Sequence, residues 1–300
     1  MYNYSFIIPH KNTPELLQRC LDSIPEREDI QIIVVDDNSD DGKNPTIDRK
    51  DVELILLDSE HAKGAGRARN VGIQHAKGKW FLFPDADDYY AEDFIKILDT
   101  YIDKDFDILY FCYCFMDGKT GKELPVQNRQ EAVWRYDGAK DSRDLLKYRN
   151  NVPWSKMVLR EYVMNHGFYF EEVPNGNDIF FSLCIGYHTN RIIVDKHPIY
   201  VHLRNENSIS TSKDSASLAT CRLGHVIKRN YFLKHVGHKE WGTSVIKKIC
   251  LKTTSLGIPF LTVLIKQSIR LYMMRKDWWK IIPALTIDPK RENLNISNNR

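Results

Sequence analysis

The sequence contains no CxxC pair and no other cysteine–histidine spacing that suits zinc, although six cysteines are present: Cys20, Cys112, Cys114, Cys184, Cys221 and Cys250. Most lie in apolar runs, which reads as buried free thiols in a reducing cytoplasm rather than a disulfide framework. Cys112 and Cys114 sit two apart in one expected strand and so share a face. No apolar stretch approaches the ~18 residues that a membrane-spanning helix needs. The longest candidate, Ile258 to Ile265, is short, with Lys252, Lys266 and Arg270 around it. Met1 to Pro9 lack a basic region followed by an apolar one, so they read as an opening strand and not as a signal peptide. Internal repeats are also missing.

What is present is a globular composition of 42% hydrophobic and 28% charged residues, enough for a substantial core. The net charge of +3 hides a division. Residues 1–224 carry 28 Lys+Arg against 36 Asp+Glu, or −8, whereas residues 225–300 carry 15 against 4, or +11. An acidic body with a basic tail suggests that the tail meets an anionic surface such as phospholipid, or else forms the solvated face of ordinary helices. Trp241, Trp278 and Trp279 among the tail's basic residues suit an interfacial amphipathic helix, with packing on the body as the alternative. The expected strand ends are acidic, which excludes nucleic acid as a partner.

Short β-branched or aromatic runs at Phe6 to Ile8, Ile32 to Val35, Leu54 to Leu57, Trp80 to Phe83 and Ile108 to Phe115 predict strands buried on both faces. Helical spacing at Pro14 to Ile24, Gly66 to Ala76 and Ala91 to Tyr101 separates them, with Thr13 placed as a cap ahead of Pro14. Such alternation predicts an α/β fold with a doubly wound sheet. The polar stretch 117–149 is expected to be a loop beside the site. Helices are expected at Lys156 to Asn165 and Asp178 to His188, and strands at Arg191 to Val194 and Ile199 to Leu203. A basic helical extension is expected from residue 213 to about Lys280.

Three motifs fall at expected strand ends, where open α/β sheets bind ligands. In Val34-Val35-Asp36-Asp37-Asn38-Ser39, two aspartates follow a strand and can accept hydrogen bonds from a base or sugar, although the same residues make ordinary turns. Gly64-Ala65-Gly66-Arg67-Ala68-Arg69-Asn70 leads glycines into a helix N-terminus with two cationic donors, an arrangement that suits phosphate or base. It lacks the acidic partner and the position of a dinucleotide fingerprint. In Phe83-Pro84-Asp85-Ala86-Asp87-Asp88, an apolar strand ends in three carboxylates. In extended chain Asp85 and Asp87 point the same way, and hard oxygen ligands suit Mg2+ or Mn2+ bound together with a substrate phosphate. The alternative is an exposed acidic turn, or a helix start capped by Asp88.

Taken in order, Ile8-Pro9 followed by Asn12, Val35-Asp36-Asp37-Asn38-Ser39, Gly66-Arg67-Ala68-Arg69-Asn70-Val71-Gly72-Ile73 and Gly78-Lys79-Trp80-Phe81-Leu82-Phe83-Pro84-Asp85-Ala86-Asp87-Asp88 closely resemble family 2 glycosyltransferases of the GT-A fold. The resemblance covers residues 4–116 and continues more weakly to about Ser210. It implies a GT-A-like domain over 1–212, with a nucleotide-sugar half to about residue 116 and an acceptor half after it, and then the extension 213–300. It also implies inverting transfer from a nucleoside-diphosphate sugar, UDP by family frequency, to a hydroxyl of a saccharide or lipid-linked acceptor in surface polysaccharide synthesis, at the inner face of the cell membrane. Residue by residue, Pro9 and Asp37 would line the nucleoside pocket. Arg69, with Arg67 after it, would contact base or diphosphate; Asp85 and Ala86 would lie against the nucleotide sugar, and Asp87 would hold Mn2+ or Mg2+. Asp178 would be the general base, with Asn177 where the family often has Glu, and with Glu171 and Glu172 as fallbacks. Trp154 and Lys156 would face the acceptor, His202 would complete the metal shell and Arg204 would pair with phosphate. Two other readings remain. A sugar nucleotidyltransferase would need a Gly-rich loop after the first strand, where Pro9-His10-Lys11-Asn12 stands instead. A non-catalytic sugar-nucleotide or glycan-binding protein is kept open by Asn177.

Overall fold

In the computed structural model the residues described are 1–125, 131–173, 175–204 and 216–242. The first apolar runs form β1 (Tyr4–His10), β2 (Ile30–Asp36), β3 (Val52–Leu56) and β4 (Trp80–Leu82), with α1 (Pro14–Asp22) and α2 (Ala65–His75) between them. β5 (Tyr89–Tyr90), α3 (Phe94–Asp99), β6 (Ile108–Asp117), β7 (Glu123–Leu124), α4 (Glu131–Trp134) and α5 (Lys140–Arg149) follow. The chain continues through β8 (Lys156–Leu159), α6 (Arg160–His166), α7 (Asn177–Tyr187), β9 (Ile192–Arg204), α8 (Ala216–His235) and a 3-10 turn at Lys239–Trp241.

The nine strands of the described residues make one mixed sheet in the order β3-β2-β1-β4-β8-β6-β9-β5, with β7 added to β6. β1 to β4 run parallel, β8 runs against both β4 and β6, and β6 and β9 are parallel. Alternation along the strands feeds two cores, as a two-residue period requires. Ile7, Ile33 and Val35 face one core with Val71 and Phe181, while Phe6, Ile8 and Val34 face the other with Leu17 and Phe94. Burial on both sides is why these strands read as continuous apolar runs. Because β1, β2 and β4 are parallel, their C-terminal ends deliver His10, Asp36 and the 85–88 turn to one edge of the sheet.

Several expected elements take another form. The stretch 117–149 is not a plain loop: it contains β7, α4 and α5, with residues 126–130 outside the described part. Lys156 to Leu159 is a strand, with its first three residues buried and paired into the sheet, and the helix starts only at Arg160. The two strands expected at 191–203 are one, β9, whose register against β6 shifts around Cys112. The third helix begins at Phe94, because Tyr89 and Tyr90 pair with β9 first. Thr13 makes no side-chain cap; its backbone N–H instead donates to His10 Nε2 at 3.2 Å. The five cysteines within the described residues are free.

Of the basic extension, α8 and the 3-10 turn are described, and both pack on the body. Phe232 and Leu233 join the core, and Trp241 lies against it. Packing, rather than interfacial exposure, thus accounts for Trp241; Trp278, Trp279 and the rest of 243–300 lie outside the described residues. Among the described residues, no helix is long and apolar enough to cross a membrane.

Candidate active site

The ends of β1 and β2 are locked together by side chains. His10 Nδ1–H donates to Asp36 Oδ1 at 2.6 Å while Nε2 accepts the Thr13 amide, so hydrogen bonding fixes the tautomer. Asp36 also accepts from the Ser39 amide (2.9 Å) and hydroxyl (2.6 Å). The neighbouring Asp37 is 5% exposed and takes the Gly64 amide on both oxygens, at 2.9 and 3.0 Å, with the Lys11 ammonium 3.5 Å away. Asp37 therefore ties the β2 end to the start of α2. Pro9, buried one residue before the strand end, lies beside Val35.

Past β4, ligand oxygens of Asp85, Asp87 and Asp88 lie within 4.8 Å of one another. The three carboxylates have different surroundings. Asp88 is fully buried and accepts from Tyr200 Oη (2.8 Å), His202 Nδ1 (2.8 Å) and the Leu203 amide (2.8 Å). Tyr200 Oη in turn accepts the Asp85 amide at 3.0 Å. Asp85 pairs with Arg69; burial pushes its pKa up and the guanidinium pulls it down. Burial, then Asp88 and Asp85, push Asp87 up to about 7. Its carbonyl accepts from Arg19 at 3.0 Å. Hard carboxylate oxygens whose charges repel one another are a donor set that Mn2+ or Mg2+ fits. Burial opposes a charge on His202, but Asp88 by field and hydrogen bond, with Asp85 and Asp87 behind it, raises the imidazole pKa overall. Asp88 is thus not a helix cap but the anchor between this turn and β9. Ala86, 6% exposed, packs into the core behind the turn.

Arg69 joins the cluster to the start of α7. Besides Asp85, it donates to Asn177 Oδ1 at 2.8 Å, and its guanidinium lies 5.2 Å from the Phe170 ring centroid. Asn177 and Asp178 open α7 after its N-cap Gly176, whose φ of 72° is in the left-handed region that suits glycine, so Asp178 stands in the first turn and is not the cap itself. The fallback bases are engaged elsewhere: Glu171 with Lys228, and Glu172 with Arg67 (3.3 Å) and Lys63 (3.8 Å). Arg67 accordingly faces Glu172. Gly66 permits the close approach of α2 to this turn, since a Cβ there would lie 2.0 Å from the Glu171 carbonyl oxygen and 2.9 Å from Asn177 Cβ. Gly66→Ala should cost roughly 1–3 kcal/mol by overpacking and slow turnover more than it weakens nucleotide binding. An unaltered melting curve would sink this account of the glycine.

The acceptor-side residues sit differently from expectation. Trp154 is 5% exposed, and its indole stacks parallel to Tyr200 (5.0 Å, 13°) and His202 (5.1 Å, 11°), forming a wall behind the imidazole. Lys156 is 1% exposed, and its ammonium donates to Asn150 O and Oδ1, both at 3.0 Å, and to Val152 O. Burial pushes it down to about 7, with Asp178 acting the other way. In this arrangement Lys156 holds the 150–152 loop and offers no surface to a substrate. Lys156→Met should orphan those acceptors and destabilise the fold by about 2–3 kcal/mol, with nucleotide affinity unchanged in titration; unchanged stability would return the lysine to a substrate-facing role. Arg204 is exposed at the end of β9, opposite Asp117.

Sequence reasoning passed over Asn177 as a partner of Arg69, Tyr200 and Asp88 as a hinge to β9, and His10 as the partner of Asp36. Their signal was adjacency to named motifs, but the partners lie 108, 112 and 26 residues apart.

The mixed sheet that delivers the acidic turn and Arg69 to one end of its parallel strands has the GT-A-like fold. The family described as Glycosyl transferase family 2 matches residues 5–167, and the chain belongs to it. It is similar to the glycosyltransferase GlyG of Streptococcus pneumoniae serotype 4, 32% identical over 157 residues, covering 45% of this chain and 52% of GlyG. It is also similar to TarS of Staphylococcus aureus, a poly(ribitol-phosphate) beta-N-acetylglucosaminyltransferase, 25% identical over 222 residues, 71% of this chain and 38% of TarS. The chain thus spans about half, or less, of the length of these relatives. Among solved structures, TarS 1–349 in complex with UDP-GlcNAc superposes with a TM-score of 0.56 at 20% identity, over 75% of this chain and 66% of that one. The mannosyltransferase PcManGT from Pyrobaculum calidifontis, in complex with GDP-Man and Mn2+, gives 0.51 at 14% identity over 95% and 85%. These structural likenesses are of fold.

Proposed function

We infer that this chain transfers a sugar, with inversion, from a nucleoside-diphosphate sugar to a hydroxyl of a saccharide or lipid-linked acceptor in surface polysaccharide synthesis. The observation that carries the reading is Arg69, which bridges Asp85 of the acidic turn to Asn177, the residue before Asp178. Asp37 and the α2 N-terminus would receive the nucleoside and diphosphate, with Pro9 beneath them. Asp178 would take the proton of the acceptor hydroxyl as its oxygen bonds to C1 and the bond from C1 to the diphosphate oxygen breaks on the opposite side. Asp87, with Asp85 and the second nitrogen of His202, would hold Mn2+ or Mg2+, which when bound stabilises negative charge on the departing diphosphate. The UDP-GlcNAc complex of TarS supports a UDP-sugar donor, and the Mn2+ in PcManGT supports a divalent ion.

The test is a panel of UDP-glucose, UDP-N-acetylglucosamine and GDP-mannose, with and without Mn2+, read by calorimetry and by nucleotide release. Metal-dependent binding and turnover of one donor supports the reading; binding of none overturns it. Contact with an anionic membrane at the cytoplasmic face rests on the charge of the tail, +11 over residues 225–300. The full chain should sediment with vesicles containing phosphatidylglycerol and be released by salt, whereas indifference to vesicle charge would leave the basic residues as an ordinary solvated face.

A further inference from the structure

The helix α8 lies beyond the family-matched segment 5–167, yet it reaches the turn from which α7 begins. His225, 9% exposed, donates from Nε2 to the Asn175 carbonyl at 2.6 Å. The Cδ2–Nε2 edge of the imidazole packs close to Gly176: a Cβ on that glycine would be 2.8 Å from His225 Cδ2 and 3.0 Å from Nε2. On its other side, Nδ1 faces Glu171 Oε2 at 3.8 Å, and Lys228, one helical turn further along α8, pairs with the other Glu171 oxygen. Cys221, one turn earlier, places Sγ 3.4 Å from the same Nε2. The turn is therefore held from two directions: α2 through Gly66 and Arg69, and α8 through His225 and Lys228. Gly176 is in the left-handed region, where a glycine N-cap alone fixes little, and no side chain caps α7. The direction in which the first turn of α7 presents Asp178 thus depends on what packs against residues 175 and 176.

We propose that His225 is a positioning residue for the transfer step, fixing the 175–177 turn so that the Asp178 carboxylate meets the acceptor hydroxyl. This rests on Asp178 being the base. His225 touches no substrate; it acts through the Asn175 carbonyl and the Gly176 backbone. Displacement of a catalytic group by about 1 Å can lower a rate 10²-fold, so turnover should fall on that order when the imidazole is removed, while nucleotide affinity, which Asp37 and the acidic turn would set without contact to His225, should change less than about twofold.

The experiment is a double-mutant cycle on the full chain, using the donor that the panel selects: wild type, His225→Ala, Asp178→Asn and both together. The expected result is a kcat loss of about 10²-fold for His225→Ala at constant nucleotide affinity, and no further loss when His225→Ala is added to Asp178→Asn, because a residue acting through another shows no independent effect. Independent, multiplying losses would overturn the proposal and leave the base intact. A silent Asp178→Asn would instead overturn the base itself. Should the alanine variant fail to fold, His225→Gln and His225→Met keep similar volume and differ in the donor. An active glutamine variant beside a methionine variant at least tenfold slower supports the proposal; equal activity overturns it.

Discussion

Asp178→Asn is expected to slow sugar transfer by about 10²- to 10⁴-fold, the range that a positioned general base supplies, and to leave metal-dependent nucleotide binding as it was. The asparagine keeps the shape of the side chain at the start of α7 and removes only the basic oxygen. Among the described residues, three carboxylates on the same side of the sheet are already paired. Glu171 is paired with Lys228, Glu172 with Arg67, and Asp85 with Arg69, so each would first have to leave a cationic partner. Stopped-flow nucleotide release and calorimetry on the same preparation separate the two quantities. Retained turnover would move the base elsewhere and reopen the non-catalytic reading that Asn177 allows.

Asp87→Asn should act in the opposite way. It is expected to abolish the metal dependence of nucleotide binding and to reduce transfer by about 10²- to 10³-fold, as loss of a group that stabilises developing charge does. In the metal-free protein, however, the same substitution should raise the melting temperature at pH 8. Burial and two neighbouring carboxylates push Asp87 up to about 7, so the folded state retains a proton that the unfolded chain has lost above the ordinary carboxylate pKa. Stability therefore falls as pH rises from about 4 to about 7, and it stays lower beyond that. The neutral amide removes this cost. A variant that binds no metal and is also less stable at pH 8 would contradict the electrostatic account of the acidic turn.

Much of this was legible in the sequence for a local reason. The parallel strands are buried on both faces, so each appears as a continuous apolar run, and the chemistry sits directly after those runs, as in Phe83 to Asp88. What stayed hidden depends on partners far along the chain. Lys156 to Leu159 has the pattern of a helix start, yet this segment pairs with β4 on one side and β6 on the other, which makes it a strand, and the Lys156 ammonium turns inward. Trp154 looked available to a sugar because nothing nearby in sequence reveals that Tyr200 and His202 lie along its ring. Within 117–149 the helix α5 carries mostly charged residues, and the face turned to the core is made by Leu146 and Tyr148 there and by Ala132 and Val133 in the one-turn α4.

The buried Asp88 carboxylate also bears on how such enzymes can be recombined. Its three donors, Tyr200, His202 and Leu203, arrive more than a hundred residues later, from a strand on the acceptor side. A chimaera joined anywhere between residues 88 and 200 would take the acid from one parent and its donors from another. Leu203 donates from its backbone, but unless both parents carry Tyr200 and His202 the graft leaves the buried Asp88 side chain short of its partners, at a cost of about 1–3 kcal/mol for each one lost. Breakpoints placed after Leu203 keep the set whole, so donor-side and acceptor-side segments of this protein should be exchanged together, with variation confined to the chain beyond Leu203.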